Sequence, residues 1–266
     1  PERATQSPKS QTKYLIFEIL KRYSMLSKAK IKFIKSLQIK KYRKQEQSFI
    51  VEGAKSVREL LDSDFEVVTL VGTNGFLSTV EVKHPVEVIE ASEKDLEGLG
   101  EFQTNDAALA VARTRPNEVL TVNPDEFVLL LDDIRDPGNL GTIIRTADWF
   151  GVTKIIASAE TADFYNPKVI SATMGSFTRI KIFYTTLSEY MQSSELPIFG
   201  TYLQGTNIHQ VNFGSGGLIL IGNESRGVHS DLEKFVTHKV TIPKSGKAES
   251  LNAAIAAGIF LFHARF

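Results

Sequence analysis

Residues 218–221, Leu-Ile-Leu-Ile, are continuously apolar and run directly into Gly222-Asn223-Glu224-Ser225-Arg226-Gly227, a polar turn bracketed by glycines. An apolar run without polar alternation is what a strand covered on both faces requires, and such strands belong to parallel α/β sheets. The layout recurs twice: Leu129-Leu130-Leu131 enters Asp132-Asp133-Ile134-Arg135-Asp136-Pro137-Gly138-Asn139, and Val240-Thr241-Ile242 enters Pro243-Lys244-Ser245-Gly246. Ligands of open α/β sheets bind beyond the carboxyl ends of the strands. Three polar, glycine-bearing strand ends therefore imply one composite site.

Composition narrows the function classes. A chain of 266 residues with 42% hydrophobic content can bury a sizeable core, as one large or two modest domains. It has no cysteine, which excludes disulfides, thiolate zinc sites and cysteine nucleophiles. No segment reaches the roughly 18 uninterrupted apolar residues of a membrane span, and a cytoplasmic protein is the simplest expectation. The neutral total conceals an asymmetry. Residues 1–44 hold 13 Lys or Arg against two acids, a net of +11, and the remainder carries −11. A basic end on an acidic body has the sign of a nucleic-acid footprint; a solvated basic tail has the same signature, and charge alone does not choose between them.

Residues 1–24 read as an extension outside the fold, either disordered or a cloning remnant, because Met25-Leu26-Ser27-Lys28 resembles a natural start. Ile31, Ile34 and Leu37 then recur at helical spacing among lysines, and Lys40-Lys41-Tyr42-Arg43-Lys44 is a basic cluster with one aromatic. Strands are expected at 49–51, 67–71, 86–89 and 108–112, with helices over 54–61, 75–80 and 93–99, giving a small α/β domain over residues 25–114. Arg113-Thr114-Arg115-Pro116-Asn117-Glu118 is the expected boundary, with a second domain over 115–266. There, strands are expected at 127–131, 155–157, 180–183, 198–203 and 218–221. Helices are expected over 140–150, entered through a cap at 136–139, and over 167–174. Ser230-x-x-Glu233 has the form of a capping box, and Ser250 stands where it would cap a helix over 251–263 whose small residues permit close packing at an interface.

The segments DDIRDPGNLGTIIRTADWFGV, LILIGNESRGV and VTIPKSGKAESLNAAIAAGIF resemble, in order and spacing, the three motifs of the SpoU/TrmH family of RNA ribose 2′-O-methyltransferases. IKFIKSLQIKKYRKQEQSFIVEGAKSVREL is similar to the family's ribosomal-protein-like substrate-binding domain, so the resemblance covers the chain from Met25 onward. It implies an α/β fold with a C-terminal trefoil-knot (SPOUT) methyltransferase domain, S-adenosyl-L-methionine as cofactor, no metal, RNA and in particular ribosomal RNA as substrate, and a homodimer that completes the site. Periodicity reveals no knot, and threaded chains are rare. A Rossmann-type alternative is weaker, because Gly138 and Gly141 do not have the spacing of a Gly-x-Gly-x-x-Gly fingerprint.

The resemblance assigns Asn139, Arg145, Glu224, Ser250 and Asn252 to catalysis. Arg145 matches the arginine proposed to act on the 2′-hydroxyl and adjacent phosphate; a guanidinium with a pKa above about 12 is a poor base, so orientation and electrostatic activation are favoured, and the proton acceptor stays open. Without the family, Arg145 reads as a helix-surface residue. Asn139 and Ser250 read equally well as helix caps, and Glu224 as a helix-entry acid unless a partner compensates its place after a buried strand. Asn252, inside a helix it does not favour, is harder to explain structurally. The same resemblance gives Thr201, Leu203, Gly222, Asn223, Ile242 and Leu251 as the cofactor lining. The chain departs from the family at Ser171, where arginine is common, at Lys244, where an apolar residue is usual, and at Ala253, where valine is common.

An active methyltransferase is the leading reading. A noncatalytic knotted RNA-binding protein in ribosome assembly is second, and an α/β protein for another adenosine metabolite third. His84, His209, His229, His238 and His263 lack ligand spacing and are assigned to surface or packing roles.

Overall fold

A computed structural model of the chain describes residues 26–82, 85–101, 105 and 107–266; the expected extension over residues 1–24 and His84 lie outside these. The chain divides into two compact units between Arg113 and Thr114.

The first unit contains α1 (Lys28–Ser36), α2 (Lys40–Glu46), β1 (Ser48–Glu52), α3 (Ala54–Leu61), β2 (Val67–Gly72), α4 (Asn74–Leu77), β3 (Glu87–Glu90), α5 (Glu93–Glu97) and β4 (Ala108–Arg113). Its sheet runs β1-β4-β2-β3, antiparallel except for the parallel β2–β3 pair. Ile34 of α1 and Leu37, at its C-cap, pack with Ile50, Val71, Ile89, Leu96 and Val111. The basic cluster with one aromatic is the helix α2, and its arginine is buried. Arg43 is 3% exposed, and its Nη1 donates to the carbonyls of Leu37 (2.9 Å) and Gln38 (2.8 Å). A guanidinium is thus used to close the end of α1, where carbonyls lack helical partners. Arg43→Met is expected to lower stability by about 2–3 kcal/mol, since it strips charge-assisted bonds from buried carbonyls; a fall in the urea midpoint would measure it.

The second unit contains β5 (Phe127–Leu131), α6 (Pro137–Trp149), β6 (Lys154–Ala157), α7 (Pro167–Ala172), β7 (Lys181–Tyr184), α8 (Leu187–Ser193), β8 (Ile198–Asn207), β9 (Gly217–Ile221), β10 (His238–Thr241) and α9 (Ala253–Arg265). Six strands form one parallel sheet in the order β10-β8-β9-β5-β6-β7. The continuously apolar runs lie at its centre: every residue of β5 and β9 is buried. Chain order moves outward from β5 through β6 to β7, then returns on the other side of β5 with β9 beside it. The reversal brings the carboxyl ends of β5 and β9 together, and crevices open at such switch points. Gly141 serves packing instead of a dinucleotide fingerprint, because a Cβ there would stand 2.5 Å from Ala172 Cβ and 2.8 Å from the Val169 carbonyl.

The expected cap at 136–139 is supplied by Asp136, while Asn139 itself does not cap: Asp136 Oδ1 accepts from Asn139 N at 2.8 Å, which a Pro at the first helical position permits. Two other expected caps are corrected. Asn252, not Ser250, caps α9, accepting from Ala254 N (2.8 Å) and Ile255 N (3.3 Å), so the helix begins at Ala253 and Asn252 lies outside it. Ser230-x-x-Glu233 forms no capping box; Glu233–Phe235 is one 3-10 turn without a side-chain cap.

Candidate functional site

Beyond β8, β9 and β10, a cavity of ≈1060 Å3 is walled by three chain segments: 201–204, 221–228 and 241–251. Thr201, Leu203, Gly222, Asn223, Ile242 and Leu251 all line it, as do Glu224 and Ser250. Its apolar surfaces come from Leu203, Ile242, Leu251 and Phe260; its polar lining combines the strand-end backbone with charged side chains, among them Glu224, Arg226, Glu233, Lys239 and Lys244. A mixed wall of this kind suits an extended ligand with a flat apolar part, and pockets of this size hold such cofactors.

The second turn is built tightly. Asn223 N donates to Gly227 O (3.0 Å) and Gly227 N to Asn223 O (2.9 Å), closing residues 223–227 into a hairpin. Asn223 Nδ2 donates to the Asp133 carbonyl at 2.8 Å, and its Oδ1 accepts from Ser225 N (2.9 Å) and Arg226 N (3.2 Å). The Asn223 side chain is thus committed to the turn itself.

A second group of expected residues meets beside this wall. Asn139 Nδ2 donates to Glu224 Oε1 at 2.7 Å, and Asn139 Oδ1 accepts from Asn252 Nδ2 at 2.8 Å. One residue from each of the three motifs joins in a single chain of hydrogen bonds. The amide of Asn139 is free for this because Asp136 does the capping. Glu224 therefore has Asn139 as its partner within the chain. Arg145 is exposed on α6, and among the described residues it has no hydrogen bond or ion pair. Ser250 is exposed at the cavity and has no part in the Asn139 chain. Lys244 also lines the cavity, its Nζ donating to the Ala248 carbonyl at 3.2 Å.

Two residues at the site escaped the sequence reading. Tyr202 lines the cavity, its hydroxyl buried without a hydrogen-bond partner among the described residues; burial, with Glu233 and Asp132 nearby, pushes it up to about 12 and keeps it protonated. His229, assigned to surface or packing, is paired with Asp132 at the end of β5: its N–H donates to Oδ2 at 2.8 Å, and Nδ1 lies 2.8 Å from Oδ1. The side chain of Asp132 is 4% exposed and that of His229 40%. The Asp132 hydrogen bond and negative charge raise the imidazole above its ordinary 6.5. A raised pKa means stability that is fully present below about 6.5 and fades as pH rises through the folded value. An NMR titration is expected to place the His229 midpoint above 6.5, and Asp132→Asn to return it toward 6.5. Among the described residues, no cluster of three or more His, Cys, Asp or Glu could hold a metal ion, and no helix is long and apolar enough to cross a membrane.

A parallel α/β sheet with a cofactor-sized crevice beyond β8, β9 and β10, and an amide–carboxylate network beside the crevice wall, is the arrangement of an α/β group-transfer protein that takes an organic cofactor. More narrowly, the chain belongs to the SpoU rRNA Methylase family, which it matches over residues 126–262. Residues 28–110 match the MRM3-like substrate binding domain. The chain is 30% identical over 250 residues, 92% of its own length and 100% of the relative's, to the 23S rRNA (guanosine(2553)-2′-O)-methyltransferase RlmP of Bacillus subtilis. Among solved structures, an RNA methyltransferase of the TrmH family from Porphyromonas gingivalis superposes with a TM-score of 0.84 at 35% identity, covering 91% of this chain and 99% of that one. The AdoMet-bound rRNA methyltransferase from Sinorhizobium meliloti superposes with a TM-score of 0.83 at 31% identity, covering 91% and 97%.

Proposed function

We propose that the chain transfers a methyl group from S-adenosyl-L-methionine to a ribose 2′-hydroxyl of ribosomal RNA. The observation that carries this reading is the hydrogen-bonded chain Glu224–Asn139–Asn252 at the wall of a cavity lined by the second and third motifs. It is supported by the full-length likeness to a 23S rRNA 2′-O-methyltransferase and to an AdoMet-bound relative.

The cavity fits the cofactor. Leu203, Ile242 and Leu251 offer apolar faces for a purine, and the strand-end backbone at Thr201 and Gly222 offers donors and acceptors for its polar edges and ribose. When bound, S-adenosylmethionine supplies a methyl group already activated on a sulfonium, so the protein needs no metal and works by alignment and proton handling. Glu224, fixed by Asn139, presents a carboxylate that holds the 2′-hydroxyl proton or orients its donor. Asn252 locks the Asn139 amide so that its Nδ2 faces Glu224. Arg145, exposed and with no hydrogen bond or ion pair among the described residues, is available to the phosphate beside the target ribose, a role that suits a planar bidentate donor. Ser250 and Lys244 are exposed and line the cavity, and in this reading they face the RNA.

The domain expected over residues 25–114 binds RNA in this reading, and residues 115–266 carry the chemistry. A trefoil knot, a homodimer and a cytoplasmic location belong to the same reading. The homodimer is supported by exposed apolar side chains on α6 and α9 and just past α9, where Trp149 is 85% exposed and Ile255, Phe262 and Phe266 are also exposed. The test is incubation with methyl-labelled S-adenosylmethionine and unmodified ribosomal RNA, followed by complete digestion. Label recovered in a 2′-O-methylnucleoside is the expected result. RNA binding with no cofactor binding and no label would overturn it in favour of a noncatalytic RNA-binding protein.

A further inference from the structure

We infer that His229 and Asp132 form a positioning pair that holds the cofactor-facing turn in place and makes cofactor affinity depend on pH; this rests on the methyltransferase reading above. The turn 222–228 forms one wall of the cavity, all seven residues lining it. It is fastened at its two ends to two adjacent residues of the first motif. At the entrance, Asn223 Nδ2 donates to Asp133 O; at the exit, His229 donates to Asp132 through its backbone N–H and faces the same carboxylate with its ring Nδ1. The base of the turn is fixed as well, Asp132 N donating to Ile221 O at 2.9 Å. Between the fastenings, the Asn223–Gly227 bridge and the bonds from Ser225 N and Arg226 N to Asn223 Oδ1 shape the turn from within, and Glu224 Oε1 accepts from Asn139 Nδ2 outside it; none of these reaches the exit at His229.

The exit fastening is the one that titrates. The groups acting on the imidazole are Asp132 in contact, with Asp133 and Asp231 at longer range, all acidic. Asp132 is almost wholly buried, and a carboxylate in that position favours a charged donor over a neutral one. The protonated ring donates from both nitrogens, while the neutral ring has one N–H to share between Asp132 and solvent. The clamp is therefore tightest below the folded pKa of His229 and loosens above it, and the turn with it. His229 touches no reacting atom in this scheme; it acts through the turn.

The decisive experiment is calorimetric titration with S-adenosylmethionine between pH 6 and pH 9 for the full chain, His229→Ala and His229→Asn, alongside kcat at saturating cofactor. The inference expects His229→Ala to weaken binding about tenfold at low pH, as loss of a charge-assisted partner to a buried acid does. It also expects the pH dependence to flatten, with kcat held within about twofold. His229→Asn, which restores a neutral donor, is expected to recover affinity to within about threefold and to show no pH dependence over the imidazole range. Unchanged affinity in His229→Ala, or a loss confined to kcat, overturns the inference and leaves the methyltransferase reading standing. A parent that binds no S-adenosylmethionine overturns that reading instead. Amide hydrogen exchange over residues 223–228 then decides the clamp without any cofactor: faster exchange in His229→Ala supports it, and unchanged exchange overturns it.

Discussion

Asn139→Ala is expected to reduce methyl transfer at least about 100-fold while leaving S-adenosylmethionine affinity within about threefold of the parent. The split follows from where Asn139 sits. It does not line the cavity, yet among the described residues it links Glu224 of the second motif to Asn252 of the third. Removing it takes a 2.7 Å donor from a half-buried carboxylate and frees the Asn252 amide to rotate. A single positioned donor at a reacting centre is typically worth 10²–10³ in rate, and the loss should fall on kcat, because interactions made only in the transition state are removed. Asn139→Asp supplies the contrast. It keeps the volume but places a second carboxylate against Glu224, and it is expected to be as inactive as the alanine variant. Single-turnover methylation with cofactor in excess measures both. An Asn139→Ala enzyme of near-parental rate would remove the amide chain from the chemistry.

That prediction was only partly legible in the sequence. The motif match brought Asn139, Glu224 and Asn252 forward by type and order, but their mutual contacts join residues 85 and 113 apart in the chain, and no local pattern encodes such pairings. The caps were ambiguous for a related reason. Asp136 and Asn139 are both good capping residues three positions apart, and so are Ser250 and Asn252 two apart; which one caps depends on where the preceding strand delivers the chain. Continuous apolar runs, by contrast, read correctly as β5 and β9, since an unbroken hydrophobic segment has few places to go other than the centre of a parallel sheet. His229 gave no signal at all, because its partner Asp132 lies 97 residues earlier and one histidine among acids looks like surface. In α2 the lysines masked a helix whose arginine is turned inward to bond carbonyls, a reversal that charge counting does not detect.

The largest effect on cofactor binding is expected from the smallest substitution. Gly222→Ala should abolish measurable S-adenosylmethionine binding, raising Kd at least about 100-fold, while the protein stays folded. At Gly222 a Cβ would stand 2.4 Å from both the Gly227 carbonyl carbon and Val228 N, and 2.7 Å from Gly227 O. These are backbone atoms of the same turn, so no side chain can rotate away to relieve the overlap. The turn has to open, and it is held by the Asn223–Gly227 bridge within and by Asp133 and Asp132 at its ends. Overpacking of this kind costs about 1–3 kcal/mol, which for a chain of this size lowers Tm by several degrees without unfolding it. The displaced residues are the cavity wall itself, so binding suffers more than stability. Gly246→Ala is the internal control. Gly246 lines the same cavity, but a Cβ there meets nothing within 4 Å, and its variant is expected to bind cofactor within about twofold of the parent. If both glycine variants bound alike in calorimetry, the close folding of the second turn would not be what shapes the cofactor site.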